Sequence, residues 1–233
     1  MTTIRDGVFP LGSVLNDIFE LCGTGFLLGD GTVALTAGHV IDQAARRGPL
    51  VGLFVVGSTW HSELVVDCEV HPEHDVAVVR FGRAVGPSIV QVSGDVQLSS
   101  AVYHGWGYPD YVAEEDRSGG EPPQPGAVAT VNPDLIFRQG YVRRRLGWAL
   151  PYSSFKGSSF LELSEVFGSC CSGAPLILMT SIGRGPWKCM GIYVGERSGH
   201  HTQSVGLAVP GDVFASWAPS LVGQPLESLP PSG

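Results

Sequence analysis

The stretch that decides the fold is GTGFLLGDGTVALTAGH, residues 23–39. Its runs GTGFLL and TVALT are rich in β-forming residues, and the GDG between them is a tight-turn sequence, so the stretch predicts a β-hairpin. The strand pattern stops after the second run, and residues 37–45 predict one or two turns of helix. His39 therefore stands where a strand gives way to a short helix.

The rest of the chain also predicts short strands. It contains 32 Gly, 17 Pro and only 15% charged residues, which favours strands joined by turns over long amphipathic helices. Further strands are predicted at residues 51–56, 63–67, 76–81, 128–131, 135–138, 159–163, 176–179, 189–194 and 205–209, with another beginning near Val90. We assign residues 1–95 to a first lobe, 96–221 to a second lobe and 222–233 to a frayed tail. Residues 108–125 predict an acidic surface loop.

The charge and cysteine patterns exclude several classes of protein. The formal net charge is −8, and the 14 Lys and Arg are scattered apart from the cluster at residues 143–145, whereas nucleic-acid binding needs a basic face. No apolar run reaches the roughly 18 residues of a membrane helix, and the N-terminus lacks a secretory signal. We therefore expect no nucleic-acid or membrane partner and a cytoplasmic location. The five cysteines favour a reducing compartment over disulfides or structural zinc.

Four separated fragments of the chain resemble motifs of the trypsin-like serine peptidases. The fragments are Gly23-Thr24-Gly25-Phe26, Thr36-Ala37-Gly38-His39, Asp75-Val76-Ala77-Val78 and Ser172-Gly173-Ala174-Pro175. His39, Asp75 and Ser172 follow one another in the order that this family uses. The resemblance implies the chymotrypsin fold, which is two six-stranded antiparallel β-barrels with the active site in the cleft between them. The chain looks like an intracellular, disulfide-free, bacterial-type branch of the family.

The resemblance also implies a catalytic triad. A serine hydroxyl is a poor nucleophile, so Ser172 needs a base, and an imidazole such as that of His39 can take its proton and pass it to the leaving amine. Asp75 would orient the imidazole. The expected activity is that of a serine endopeptidase, which cleaves protein or peptide substrates through an acyl-enzyme intermediate. This chemistry needs neither a cofactor nor a metal ion.

Two further features concern how the oxyanion of the tetrahedral intermediate is bound and how the protein is activated. The resemblance assigns the oxyanion-binding N–H groups to Cys170 and Ser172, although the family usually has Gly at the earlier position. A non-glycine residue tolerates fewer backbone conformations there. Cys171 stands where zymogen-activated members carry an aspartate that pairs with a new N-terminus. We therefore expect no activation by N-terminal cleavage.

The resemblance places the primary specificity pocket around residues near the nucleophile. Val166, six residues before Ser172, would lie at the base of the pocket, so no acid is present there to pair with Lys or Arg. Residues 193–195 (Tyr193, Val194 and Gly195) would form one wall and offer backbone hydrogen bonds to an extended peptide. His201 lies in a loop that helps to shape the pocket. We expect an uncharged residue before the scissile bond.

Several alternatives remain open from the sequence. The non-glycine oxyanion position allows a catalytically silent module that binds a protein partner, or a latent peptidase that such a partner activates. One of the adjacent cysteines could act as the nucleophile or undergo reversible oxidation, although small buried packing residues are the simpler interpretation. His71 and His74 have the spacing of a metal pair, but without a third ligand we interpret them as surface residues beside Asp75.

Overall fold

The computed structural model describes residues 3–16, 18–56, 59–96, 99–110, 133–150, 155–183, 186–199 and 202–232. The elements of its first half are α1 (Ile4–Gly7), β1 (Val8–Leu15), β2 (Ile18–Leu28), β3 (Val33–Thr36), α2 (Gly38–Ala45), β4 (Leu50–Val56), β5 (Thr59–Val70) and β6 (Ala77–Phe81). Those of its second half are β7 (Val90–Val92), β8 (Val102–Gly107), β9 (Ile136–Leu146), β10 (Phe160–Leu163), β11 (Pro175–Leu178), β12 (Trp187–Gly199) and β13 (Thr202–Pro210), with 3-10 turns at Met179–Ser181, Gly211–Val213 and Leu226–Ser228.

Strands β1 to β6 close into an antiparallel barrel with the order β1-β2-β3-β6-β5-β4. The predicted hairpin is β2 and β3, and the predicted helix after it is α2. Three rings, those of Phe9, Phe54 and Phe81, meet inside the barrel with centroids 4.6 to 5.6 Å apart. Because each is almost completely withdrawn from water, each stabilises the barrel by roughly 2 kcal/mol.

A second antiparallel barrel follows, with the order β11-β8-β9-β10-β13-β12, and the pairing of β11 with β12 closes it. Strand β7 adds to the outside of β12 in parallel, with Val90 opposite Trp187. Inside the barrel the rings of Phe167 and Tyr193 stack at 4.5 Å between centroids. The prediction of two six-stranded antiparallel barrels is thereby confirmed.

The structure differs from the sequence predictions in several places. Strands β1 and β8 were not predicted, and the predicted strand at 128–131 and most of the predicted acidic loop lie outside the described residues. We expected the first lobe to extend to residue 95. Strand β7 instead pairs with β12 of the second barrel, so the change of barrel falls between Phe81 and Val90.

The C-terminal segment is packed, whereas we expected it to fray. The side chain of Leu226 is fully buried and that of Leu229 is buried against the first barrel beside Gly29. The backbone N–H of Ser232 donates to the carbonyl oxygen of Ser88 at 3.0 Å. The Pro- and Ser-rich composition suggested disorder, but two leucines in the tail reach the apolar core and hold it in place.

Candidate active site

His39 and Asp75 form a hydrogen-bonded pair at the end of the first barrel. His39 Nδ1 lies 2.7 Å from Asp75 Oδ2, and the backbone N–H of His39 donates to Asp75 Oδ1 at 2.8 Å. The pairing of β3 with β6 brings the two residues together, since it sets Thr36 opposite Ala77. His39 follows the end of β3 and Asp75 precedes the start of β6, so both lie at the same edge of the barrel.

The pair fixes the tautomer of the imidazole. The side chains of His39 and Asp75 are 15% and 3% exposed, so water competes little for the bond between them. A carboxylate only accepts hydrogen bonds, so Nδ1 carries the proton and Nε2 is left with a lone pair. The second carboxylate oxygen accepts an N–H from the first turn of α2, so one side chain orients both the helix and the ring. The imidazole is therefore prepared to accept a proton at Nε2.

A short segment that precedes β10 of the second barrel binds the backbone of Asp75. The backbone N–H of Asp75 donates to the carbonyl oxygen of Lys156 at 2.9 Å. The ammonium group of Lys156 donates to the carbonyl oxygen of His71 at 3.0 Å. The sequence analysis missed this support because a backbone carbonyl can accept a bond whatever the side chain of its residue, so no motif marks it.

Ser172 lies in the turn that leads into β11. Its hydroxyl donates to the carbonyl oxygen of Val194 at 3.1 Å, and within the described residues no hydrogen bond joins it to His39. The nucleophile segment nevertheless contacts the segment that carries His39, since a Cβ built on Gly173 would lie 3.1 Å from the backbone nitrogen of Ala37. The structure thus packs the serine turn against the segment that carries the imidazole and leaves the serine hydroxyl turned towards Val194 of the second barrel.

Thr24 joins the nucleophile loop to the first barrel. Its backbone N–H donates to the carbonyl oxygen of Ser172 at 2.8 Å, and its hydroxyl donates to that of Cys170 at 3.2 Å. The hydroxyl accepts the N–H of Tyr108, and the carbonyl oxygen of Thr24 accepts the hydroxyl of Thr36. Three of the four fragments quoted from the sequence, those with Thr24, Thr36 and Ser172, therefore meet around this residue. The sequence analysis quoted Thr24 without assigning it this role.

Gly173 makes the close contact between the barrels possible. Its φ is +96°, a conformation that residues with a side chain rarely adopt. A Cβ at this position would overlap the carbonyl oxygen of Thr24 and the hydroxyl of Thr36. The glycine after Ser172 is therefore required by the docking of one barrel on the other.

The loop before Ser172 carries the candidate oxyanion donors. Among the described residues, none accepts a hydrogen bond from the backbone N–H of Cys170 or Ser172. Cys170 has φ +62°, in the left-handed region that favours glycine. This conformation costs a residue with a side chain roughly 1 kcal/mol, so the loop is strained at the position where the family usually has Gly.

The cysteine side chains do not have the properties of nucleophiles. All five cysteines are free thiols. Burial raises the pKa of Cys170 to about 12 and raises the pKa of Cys171 still further. A thiol reacts as its thiolate, which these two groups do not form near neutral pH. The two thiols also donate weakly to the carbonyl oxygens of Leu21 and Phe167, respectively.

The residues that the sequence predicted at the specificity pocket differ in their burial and contacts. Val166 is half-buried in the loop after β10. The ring of Tyr193 is buried against Phe167, and its hydroxyl accepts the N–H of Phe167 at 3.2 Å. The side chain of Tyr193 thus belongs to the core, and the role of residues 193–195 as a wall that binds an extended peptide stays a prediction. Val194 contributes the carbonyl oxygen that faces Ser172.

Gly195 follows Val194 in β12, and it contacts a residue that the sequence analysis did not select. Its φ is +148°, and a Cβ on it would lie 2.5 Å from Cζ of Phe155. The ring of Phe155 also lies 5.7 Å from that of His39, centroid to centroid. The predicted substrate contact of His201 lies outside the described residues.

His71 and His74 lie in the loop before Asp75, and within the described residues they are part of no metal site. His71 Nδ1 accepts the N–H groups of Glu73 and His74 at 3.0 and 3.1 Å. The ring of His71 is buried against Trp217, so the interpretation of this histidine as a surface residue is wrong. In the described ranges, no group of three or more His, Cys, Asp or Glu side chains could hold a metal ion. Burial lowers the pKa of His71 to about 4, so the ring is neutral.

Two closed barrels, with a histidine–aspartate pair from the first and a serine turn from the second, are the arrangement of chymotrypsin-fold peptidases. The sequence profile of the trypsin-like peptidase domain matches residues 23–182. The chain belongs to the trypsin-like peptidase family. No curated protein matches it in sequence.

Solved structures of proteases share the fold. The apo protease domain of MamO from Magnetospirillum magneticum matches with a TM-score of 0.60 and 15% identity over 92% of this chain and 96% of that one. The HtrA-type protease AlgW with a decapeptide matches with a TM-score of 0.60 and 14% identity over 90% of this chain and 62% of that one. The active form of the Rv3671c protease from M. tuberculosis matches with a TM-score of 0.56 and 14% identity over 89% and 77%. None of the helices in the described part of the chain has the length and apolar character needed to span a bilayer.

Proposed function

We propose that this protein is a serine endopeptidase that uses Ser172 as nucleophile, His39 as general base and Asp75 as the residue that orients the imidazole. The observation that carries the proposal is the hydrogen bond of 2.7 Å from His39 Nδ1 to Asp75 Oδ2, which leaves Nε2 able to accept a proton. The contact of Gly173 with Ala37, two residues before His39, supports an approach of Ser172 to the imidazole. A packing role for His39 would not require a buried carboxylate to fix its tautomer.

In the proposed reaction, Ser172 Oγ attacks the carbonyl carbon of the scissile peptide bond while its proton moves to His39 Nε2. The N–H groups of Cys170 and Ser172 stabilise the oxyanion that forms. The C–N bond then breaks, and the imidazolium gives its proton to the departing amine. Water, deprotonated by His39, attacks the resulting ester, which releases the acid and regenerates the serine.

The first step requires a rotation of the Ser172 side chain. The hydroxyl now donates to the carbonyl oxygen of Val194, and it must leave this acceptor to donate to His39. An extended substrate that pairs with β12 would offer its own N–H to the same carbonyl oxygen. Substrate binding would therefore displace the hydroxyl towards the imidazole. The change from the Val194 acceptor to the His39 acceptor needs rotation about only one side-chain bond of Ser172.

A fluorophosphonate probe tests the proposal directly. We expect the native protein to be labelled at Ser172, with the modified peptide identified by mass spectrometry. Ser172→Ala should abolish labelling and His39→Ala should reduce it by several orders of magnitude, since the base that activates the hydroxyl is lost. Ser158→Ala, which removes an exposed hydroxyl elsewhere, should label like the native protein. Native protein that is folded and stays unlabelled would contradict the proposal.

A second candidate is a peptidase-fold module that binds a protein partner, either without catalysis or as a latent enzyme that the partner activates. The strained φ of Cys170 and the turned hydroxyl of Ser172 favour it. Hydrolysis that appears only when a partner is added would identify the latent enzyme. Partner binding that is unchanged in Ser172→Ala, with no hydrolysis by the native protein, would identify the silent module.

The cytoplasmic location stays a prediction that cell fractionation would test.

A further inference from the structure

The hydroxyl of Thr24 is a buried polar group that the proposed reaction does not use. Thr24 is fully buried, and its hydroxyl lies between two backbone groups of the second barrel. It accepts the N–H of Tyr108 at 3.0 Å and donates to the carbonyl oxygen of Cys170 at 3.2 Å. Since an N–H can only donate and a carbonyl oxygen can only accept, both roles of the hydroxyl are defined. The side chain of Thr24 therefore ties the segment after β8 to the loop before Ser172.

A second hydrogen bond joins the same two segments. The backbone N–H of Asp110 donates to the carbonyl oxygen of Ser169 at 3.3 Å. That oxygen and the N–H of Cys170 belong to one planar trans peptide, so they point in opposite directions. The contact with Asp110 therefore sets the direction of the Cys170 N–H, the candidate oxyanion donor, and turns it away from the segment after β8.

Thr24 holds the next peptide of the loop, the one that joins Cys170 to Cys171. Its oxygen accepts the hydroxyl of Thr24, and its N–H, that of Cys171, donates to the carbonyl oxygen of Gly168 at 3.4 Å. Both peptides that flank the Cα of Cys170 are thus anchored. The φ of +62° at this residue is strained, and such strain persists only where the surroundings hold it. Without the Thr24 hydroxyl, the loop could rotate towards a relaxed backbone and carry the donor N–H with it.

We infer that Thr24 is a positioning residue for the proposed oxyanion site, because its hydroxyl holds the backbone of Cys170 in the conformation that presents the donor N–H. The inference rests on the proposed function and deepens it. Thr24 acts through the backbone of Cys170, since its own hydroxyl is buried and already has both partners. The backbone N–H of Thr24 donates to the carbonyl oxygen of Ser172 at 2.8 Å, so this link between the barrels does not depend on the side chain.

The test compares Thr24→Val, which has nearly the same shape but no hydroxyl, with Thr24→Ser, which keeps the hydroxyl. The substrate is a fluorogenic peptide selected by digestion of a peptide library with the native protein. In Thr24→Val we expect kcat to fall about tenfold to a hundredfold with KM little changed, because a misplaced oxyanion donor weakens an interaction made in the transition state. Thr24→Ser should retain most of the native kcat.

The matched control is Ser88→Ala. It removes another fully buried hydroxyl of the protein, which donates to the carbonyl oxygen of Leu27 at 3.0 Å, away from the loop before Ser172. This variant should keep the native kcat and KM. The comparison separates the loss of a particular hydroxyl from the general effect of losing one buried hydrogen bond.

A second measurement needs no turnover. The hydroxyl oxygen of Ser172 adds to the carbonyl carbon of a peptidyl trifluoromethyl ketone as its proton passes to His39, and the former carbonyl oxygen takes the place of the oxyanion. Thr24→Val should weaken the affinity for this inhibitor by about the factor by which kcat falls. The affinity of Ser172→Ala for the substrate peptide, measured by fluorescence anisotropy, should be the same with and without Thr24→Val.

Cys170→Gly gives a further test of how Thr24 acts. Glycine adopts the φ of residue 170 without steric penalty, so it should depend less on the Thr24 hydroxyl. The fall in kcat caused by Thr24→Val should therefore be smaller in Cys170→Gly than in the native chain, measured as a double-mutant cycle. If Thr24→Val does not fold by itself, the Cys170→Gly background relieves the strain of the loop and allows the comparison with Thr24→Ser.

A native kcat in folded Thr24→Val would overturn the inference, as would an equal fall in Thr24→Ser or in Ser88→Ala. A change confined to KM would mean that Thr24 supports ground-state binding of the peptide and would equally overturn it. Absence of fluorophosphonate labelling at Ser172 in the native protein would refute the proposed function. Labelled native protein with unchanged kinetics in Thr24→Val would refute the role of Thr24 alone.

Discussion

At the scale of single residues, Cys170 combines a candidate catalytic role with a strained backbone conformation. Its backbone N–H is a candidate oxyanion donor, and its φ of +62° is one that glycine adopts without steric penalty. Its carbonyl oxygen accepts the hydroxyl of Thr24, so the loop is held in this conformation from the first barrel. The strain is therefore maintained by the docking of the two barrels.

Two substitutions separate this strain from the packing of the thiol. Both Cys170→Gly and Cys170→Ala remove the thiol, but only glycine relieves the left-handed backbone. We expect the glycine variant to have a free energy of unfolding about 1 kcal/mol above that of the alanine variant, measured by urea denaturation. Equal stability of the two variants would mean that the loop relaxes away from positive φ in solution.

At the scale of elements, the loop between β5 and β6 links stability to pH. His71 is buried in it, and two N–H groups of the loop donate to its Nδ1. Burial, together with the charge of a protonated His74, lowers the pKa of His71 to about 4, while the nearby carboxylate of Glu73 opposes the shift. The folded loop therefore needs a neutral ring at this position.

The free energy of unfolding should fall as the pH drops from about 6.5 to about 4. In this window the unfolded chain binds a proton at residue 71 that the folded chain does not, so acid favours unfolding, by roughly 1 to 3 kcal/mol in total. The Asn side chain in His71→Asn can still accept from the loop and does not titrate, so this part of the pH dependence should disappear. His61→Asn, which changes an exposed histidine of β5, should keep the native profile in the same urea titrations. A profile of His71→Asn that matches the native one would contradict the assignment.

At the scale of the whole molecule, the C-terminal segment fastens one barrel to the other. It leaves the second barrel after β13, yet Leu229 packs beside Gly29 of the first barrel and Ser232 bonds to Ser88. Leu226, in the same segment, is fully buried in the main apolar core. The two barrels are therefore held together both at the cleft, through Thr24, and by the tail.

Leu226→Ala should lower the free energy of unfolding by about 2 to 5 kcal/mol, because it removes buried apolar surface and leaves a cavity. The matched control is Leu15→Ala, which truncates a leucine that is 58% exposed at the end of β1 and should change stability by less than about 0.5 kcal/mol. Both can be measured by thermal and urea denaturation. Equal effects of the two substitutions would restore the original expectation of a frayed tail.

The resemblance of the four motifs to the trypsin-like peptidases implied the two-barrel fold. The sequence by itself determined the strand-rich class, the hairpin that leads to His39 and the order of these motifs. These are local or pairwise features: a turn sequence selects a hairpin, and β-forming runs select strands. Strands β1 and β8 escaped prediction because Pro10, Gly12, Gly105 and Gly107 interrupt their β pattern, although the partners of each strand accommodate them.

Only the tertiary structure decided that the side chain of Tyr193 belongs to the core, that the tail is packed and that Phe155 lies beside His39. Each of these depends on which residue of a distant segment lies opposite, and no local pattern encodes that. The direction of the Ser172 hydroxyl is of the same kind, since one rotation selects between the carbonyl oxygen of Val194 and the imidazole. These side-chain positions are fixed by contacts between segments that are distant in the sequence. Such contacts form only when both segments are already folded, so the sequence of either segment alone does not predict them.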